Sequence, residues 1–172
     1  MRTEHERDEL SKIAKQTARL RAMLDETPHP SADESAAVWH NFLGAIQDIL
    51  GNFSNRRSFV ACLLAKEYLE RELPMRPFDV ALKPQGANGH DVDERTTDGR
   101  RIVGEIKTTV PHLQTRFGAA QDREIMKDLN KLASAEAECK FFFVTNQAAA
   151  NALRLPKYAE HLQRIKVVCL AS

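Results

Sequence analysis

Apolar residues recur at Leu10, Ile13, Leu20 and Leu24, with Thr17 completing the three-four spacing, between flanks rich in Glu, Arg and Lys. That period matches one face of an α-helix and predicts an amphipathic helix over 4–25. Residues 27–35, TPHPSADES, contain two prolines and small polar side chains, and read as a linker ending in an N-cap. A second helical run, AAVWHNFLGAIQDIL, follows, and Gly51-Asn52 interrupts it. Trp39 falls on its apolar face and is expected in the core. Ser54 or Asn55 is placed to cap a third helix, RRSFVACLLAKEYLEREL, which Pro74 ends. The chain up to residue 73 is therefore expected to be all helical.

The pattern changes after Pro77. FDVALK (78–83) has β-like composition, PQGANG is a loop, and residues 89–109 read as two strands joined at Asp98-Gly99. A helix fits 118–135, with Ile125, Met126, Leu129, Leu132 and Ala133 on one side and Asp122, Arg123, Lys127, Asp128 and Lys131 on the other. KFFFVT (140–145) and IKVVCL (165–170) are continuous apolar runs, as expected of strands covered on both faces, and Pro156 starts a short helical piece between them. A strand, a crossover and a further strand suggest parallel pairing. The fold class expected is α/β, with an N-terminal helical region (1–54) followed by an α/β core (55–172).

The hairpin carries charge where apolar residues would be normal. Side chains two apart on a strand share a face, so Glu105 and Lys107 point one way while Ile102, Gly104 and Ile106 point the other. Asp91 and Asp93 likewise share a face. A three-residue turn at Thr97-Asp98-Gly99 sets Asp91 opposite Glu105, whereas a two-residue turn shifts the register by one. Either aspartate is a candidate partner for Glu105. Carboxylates held side by side lose hydration and repel, which is tolerable near solvent or around a divalent cation, and hard oxygen ligands suit magnesium or manganese.

Composition narrows the alternatives. The chain has 172 residues, 42% hydrophobic and 28% charged, enough for one folded domain with an extension. Its 25 basic and 24 acidic residues give a formal net charge of +1, so any surface for nucleic acid must be local. Cys62, Cys139 and Cys169 sit beside apolar residues at spacings that suit neither a disulfide framework nor zinc, and are expected as free thiols. The first residues lack the apolar core of a signal peptide, and no apolar run approaches the ~20 residues of a membrane span, so a cytoplasmic protein without a membrane partner is expected. There is no GxxxxGK[ST], GxGxxG, HExxH or GxSxG.

The run Asp91 (or Asp93), then Glu105-Ile106-Lys107, resembles the D-(D/E)xK signature of the PD-(D/E)xK nuclease superfamily, which includes many type II restriction endonucleases, junction resolvases and repair nucleases. The order of elements over about 55–170 is similar too, although His90 stands where the signature has proline. The resemblance implies a restriction-endonuclease-like core, a mixed sheet of about five strands flanked by helices. It implies that Asp91, Glu105 and the carbonyl of Ile106 hold Mg²⁺, with Mn²⁺ able to substitute, and that Lys107 orients the attacking water or stabilises charge on the phosphoryl oxygens. Glu67 resembles the family's acidic residue on the preceding helix, and Gln121 resembles a glutamine some members use to position phosphate. Arg95, Arg101, Arg116 and Arg123 are candidate phosphate contacts. The activity implied is Mg²⁺-dependent cleavage of double-stranded DNA by a restriction-like homodimer. A structure-selective repair or resolvase-type nuclease, and a non-catalytic nucleic-acid-binding module on the same scaffold, are the alternatives.

Overall fold

The computed structural model describes residues 1–83, 87–112 and 115–170. Two compact units divide the chain, Met1–Arg56 and Arg57–Ser172. In the first, α1 (Glu4–Glu26) opens with a reciprocal cap. The Thr3 hydroxyl accepts from the Glu6 N–H at 3.2 Å, and the Thr3 N–H donates to the Glu6 carboxylate at 2.9 Å. Ser35 caps α2 (Ala36–Leu50), which stops at Gly51, where a φ of +51° favours glycine. The Gln16 amide donates to the Ile49 and Leu50 carbonyls at 2.5 and 2.7 Å, joining α1 to the exposed end of the α2 hydrogen-bond ladder. Trp39, expected in the core, is only half-buried; it packs edge-on against Phe42 and donates its indole N–H to the Ser31 carbonyl at 3.1 Å.

The second unit is built on a mixed sheet in the order β1 (Val92–Arg95), β2 (Arg101–Lys107), β3 (Cys139–Val144), β4 (Lys166–Cys169). β1 pairs antiparallel with β2, and the remaining pairs are parallel. α4 (Ala119–Ser134) forms the crossover from β2 to β3; α5 (Gln147–Ala152) and a 3₁₀ turn at Pro156–Tyr158 form the one from β3 to β4. The chain is thus an α/β protein with an N-terminal helical region.

Alternation along the strands sorts the side chains into two cores. On one face Val103, Phe142 and Val144 pack with Ile125, Leu129 and Leu132 of α4 and with Tyr158. On the other, Ile102, Phe141 and Phe143 pack with Ala65 and Leu69 from α3 (Phe53–Glu72). Each fully buried Leu, Ile or Phe here contributes on the order of 1.5–3 kcal/mol. Gly104 has a steric reason on this second face, because a Cβ there would lie 3.0 Å from the Phe143 ring, which stacks on Phe141.

Two expectations are corrected. The sheet has four strands among the described residues, not about five. FDVALK is not a strand: Val80–Leu82 forms a 3₁₀ turn capped by Asp79, whose carboxylate accepts from the Ala81 N–H at 2.8 Å. Aspartate offers its own backbone a local partner in competition with a ladder, and Pro77 lacks the N–H a ladder needs. What remains beside β1 is an isolated bridge, Met75 to Thr96, with the Arg76 N–H donating to the Arg95 carbonyl at 3.0 Å.

Candidate active site

The hairpin turn fixes the site. The Thr96 N–H donates to the Arg100 carbonyl at 3.0 Å, enclosing Thr97, Asp98 and Gly99, and Gly99 takes a φ of +92° that other residues rarely adopt. Of the two possible registers, the three-residue turn is therefore the one formed. Val92 pairs with Gly104, so the next position outward sets Asp91 across from Glu105.

Asp91 lies just before β1 and is exposed. Its carboxylate accepts from the Ile106 N–H at 2.8 Å, taking over a backbone donor that β1 is too short to reach. The Lys107 carbonyl accepts from the Thr145 N–H on the β3 side at 3.2 Å, so strand alternation turns the Ile106 N–H and carbonyl toward the β1 side. The Asp91 carboxylate and Ile106 carbonyl thus meet at the same edge. A cavity of about 180 Å³ opens beside them, lined in part by Ser58, Cys62, Lys83 and Glu94. Burial, and after it the Asp91 charge, pushes the Cys62 thiol up to about 11, so it is an unreactive wall of this cavity.

Glu105 is only 4% exposed. One of its oxygens forms an ion pair with the Lys131 ammonium at 2.7 Å and bonds His90 Nδ1 at 2.8 Å. Burial raises the Glu105 carboxyl above the ordinary range; the Lys131 hydrogen bond opposes this and the Asp91 charge adds to it. Lys107, on the same face as Glu105, has its ammonium 2.5 Å from Asp128 Oδ2. That oxygen is buried and receives no hydrogen bond among the described residues, so the contact is an ion pair without hydrogen-bond geometry. The outcome is a crossed arrangement in which two charges on β2 face two charges one turn apart on α4.

The structure corrects the expected placement of Asp128 and Lys131 on the polar side of the 118–135 helix. Asp128 is buried against β2 and Lys131 reaches over the sheet to Glu105. They flank the apolar stripe of Ile125, Leu129 and Leu132, and a sequence signal existed: charges of complementary sign beside that stripe, facing the anomalous Glu and Lys of β2. His90, which in the sequence marks only the place of the signature's proline, is a buried partner of Glu105.

The other expected residues are dispersed. Asp93 is clamped by Arg101 through paired contacts of 2.9 and 2.8 Å, and this guanidinium holds its carboxyl below the ordinary range. Glu67 is exposed on α3. Gln121 is a strut: its oxygen accepts from the Gly118 and His112 N–H groups, both at 3.1 Å, and its amide donates to the Val110 carbonyl at 2.9 Å. Arg95 donates to the Gly99 carbonyl at 2.9 Å, while Arg116 and Arg123 are exposed.

Among the described residues no three His, Cys, Asp or Glu side chains cluster as a metal site. The candidate is smaller, two carboxylates and one carbonyl, all hard oxygen donors of the kind magnesium and manganese take alongside water. Asp91 is open to solvent and Glu105 closes the inner side. No helix among the described residues is long and apolar enough to cross a membrane. In comparisons with known proteins, no family model, curated protein or solved structure matches the chain.

Proposed function

We propose that this protein is a metal-dependent deoxyribonuclease of the PD-(D/E)xK type with a restriction-endonuclease-like core, acting on double-stranded DNA. The observation that carries the reading is the hairpin register, which brings Asp91 opposite Glu105, sets Lys107 on the Glu105 face and ties the Asp91 carboxylate to the Ile106 N–H. The antiparallel hairpin followed by α4 and a parallel β3 supports the same assignment.

Asp91, Glu105 and the Ile106 carbonyl would hold Mg²⁺, or Mn²⁺ in its stead. Such an ion supplies Lewis acidity toward a phosphate and lowers the pKa of a bound water. His90 orients the buried Glu105 carboxylate, and Asp128 orients the Lys107 ammonium. Lys107 supplies positive charge toward the phosphoryl oxygens, where charge gathers during hydrolysis. Exposed Arg116 and Arg123 are available to phosphates, whereas Arg95 and Arg101 are engaged within the hairpin. Restriction-like cleavage of both strands with one site per chain calls for a symmetric homodimer.

One observation favours a second reading, a non-catalytic nucleic-acid-binding module: Glu105 and Lys107 are both already paired with charges on α4. Incubation of the purified protein with supercoiled plasmid and with branched DNA, in Mg²⁺, Mn²⁺ or chelator, separates the possibilities. Metal-dependent discrete fragments are the expected result. Preference for the branched substrate would mean a structure-selective nuclease, and retention of DNA without cleavage would leave the binding module.

A further inference from the structure

We infer that Lys131 is an exchangeable counter-cation, occupying the cation position at Glu105 and yielding it to a divalent ion. The inference rests on reading Asp91 and Glu105 as the cation ligands. A carboxylate as buried as Glu105, at 4% exposure, needs a positive partner, and the Lys131 ammonium supplies it at 2.7 Å. The same ammonium donates to the Gly89 carbonyl at 2.5 Å, so it stands between β2 and the 89–91 segment that delivers Asp91. An ion taking an oxygen of Glu105 on the Asp91 side enters the space this ammonium commands, and two unscreened cations at such separations repel strongly.

The two lysines at the site are built for different fates. The Lys131 side chain is 38% exposed, on the last turns of α4, and its ammonium can withdraw into water on four flexible carbons. The Lys107 side chain is 24% exposed and its ammonium is fixed by the buried Asp128 carboxylate. Without Asp128, Lys107 lies two residues from Glu105 on the same face, and could replace Lys131 as its partner. Asp128 therefore keeps Lys107 out of the exchange. His90 remains on Glu105 throughout, so the carboxylate keeps its orientation when its cation changes.

The test is Mn²⁺ affinity, measured by calorimetry on the full chain for the wild type, Lys131→Met, Lys131→Gln and Asp91→Asn, with circular dichroism verifying the fold of each. Both Lys131 variants are expected to bind Mn²⁺ roughly tenfold more tightly than the wild type, the equivalent of about 1.4 kcal/mol. Unchanged or weaker binding in both, with a wild type that binds and an Asp91→Asn variant that does not, overturns the exchange and leaves the metal site standing. Absence of Mn²⁺ binding from the wild type and from both Lys131 variants overturns the exchange together with the metal-site reading beneath it.

Discussion

The Lys107 ammonium sits 2.5 Å from Asp128 Oδ2, joining the second strand of the hairpin to the helix that leaves it. Side-chain exposures of 24% and 11% make this pair neither a surface bridge nor a fully buried one. Truncating Asp128 to alanine is expected to cost between the ~1 kcal/mol of an exposed pair and the roughly 3–5 kcal/mol of a buried one. Lys107→Met with Asp128→Leu removes both charges and fills the space, so the double variant should regain most of that stability while cutting no DNA. Urea unfolding of Lys107→Met, of Asp128→Leu and of the double measures the coupling; additive losses would mean that the two side chains do not depend on each other.

Asp91 and Asp93 share a face of the hairpin but keep different company. Asp91 reaches the free edge of β2, whereas Asp93 is spent on Arg101. Asp91→Asn and Lys107→Ala are each expected to lower cleavage about 100-fold or more, with DNA retention in a gel shift preserved. Asp93→Asn should leave cleavage intact and lower stability by no more than about 1 kcal/mol, as befits an exposed ion pair. A loss of cleavage in Asp93→Asn with none in Asp91→Asn would reverse the two assignments.

Strands β2, β3 and β4 and helices α1 to α4 follow from hydrophobic period and breaker residues, and Asp98-Gly99 marks the turn, but sequence alone leaves its length at two or three residues and so does not fix the register that sets Asp91 against Glu105. Less legible were features where side chains compete with backbone or where partners lie far apart in sequence. FDVALK has strand composition, but Asp79 capping its own 3₁₀ turn and the Lys66 ammonium taking the Phe78 carbonyl at 2.6 Å leave no ladder for it. Asp128 and Lys131 have the polarity of a solvent face, and only the sheet beneath them reveals their partners. Gln121 illustrates the same gap, since a glutamine in a first helical turn can serve a phosphate or a nearby loop equally well on sequence alone.

Gln121 joins Val110, His112 and Gly118 through three hydrogen bonds from one amide. Gln121→Ala should cost about 0.5–1.5 kcal/mol, because two backbone N–H groups and a carbonyl lose their partner together at a site where water can reach them. Gln121→Glu keeps the acceptor for both N–H groups but loses the donor to Val110, and should fall between. Denaturant midpoints check the order. Unchanged stability in Gln121→Ala alongside weaker DNA retention would instead make it a phosphate contact.

Asp122, at the start of α4, takes the Lys157 ammonium at 2.7 Å and the hydroxyl of the fully buried Tyr158 on one oxygen. Lys157 first, and then Tyr158, hold its carboxyl below the ordinary value of 3.8. A carboxyl with a lowered folded pKa binds its proton more readily in the unfolded chain. Its contribution is therefore complete above the ordinary value and is lost as pH falls through the lower folded one. Asp122→Asn removes that contribution, so its urea midpoint should lie below the wild type's at about pH 7 and converge toward it at about pH 2.5. Because Tyr158 can still donate to an asparagine oxygen, the convergence isolates the charge from the hydrogen bond. A gap between the two proteins that stays constant over this range would mean that Asp122 acts through packing or hydrogen bonding alone.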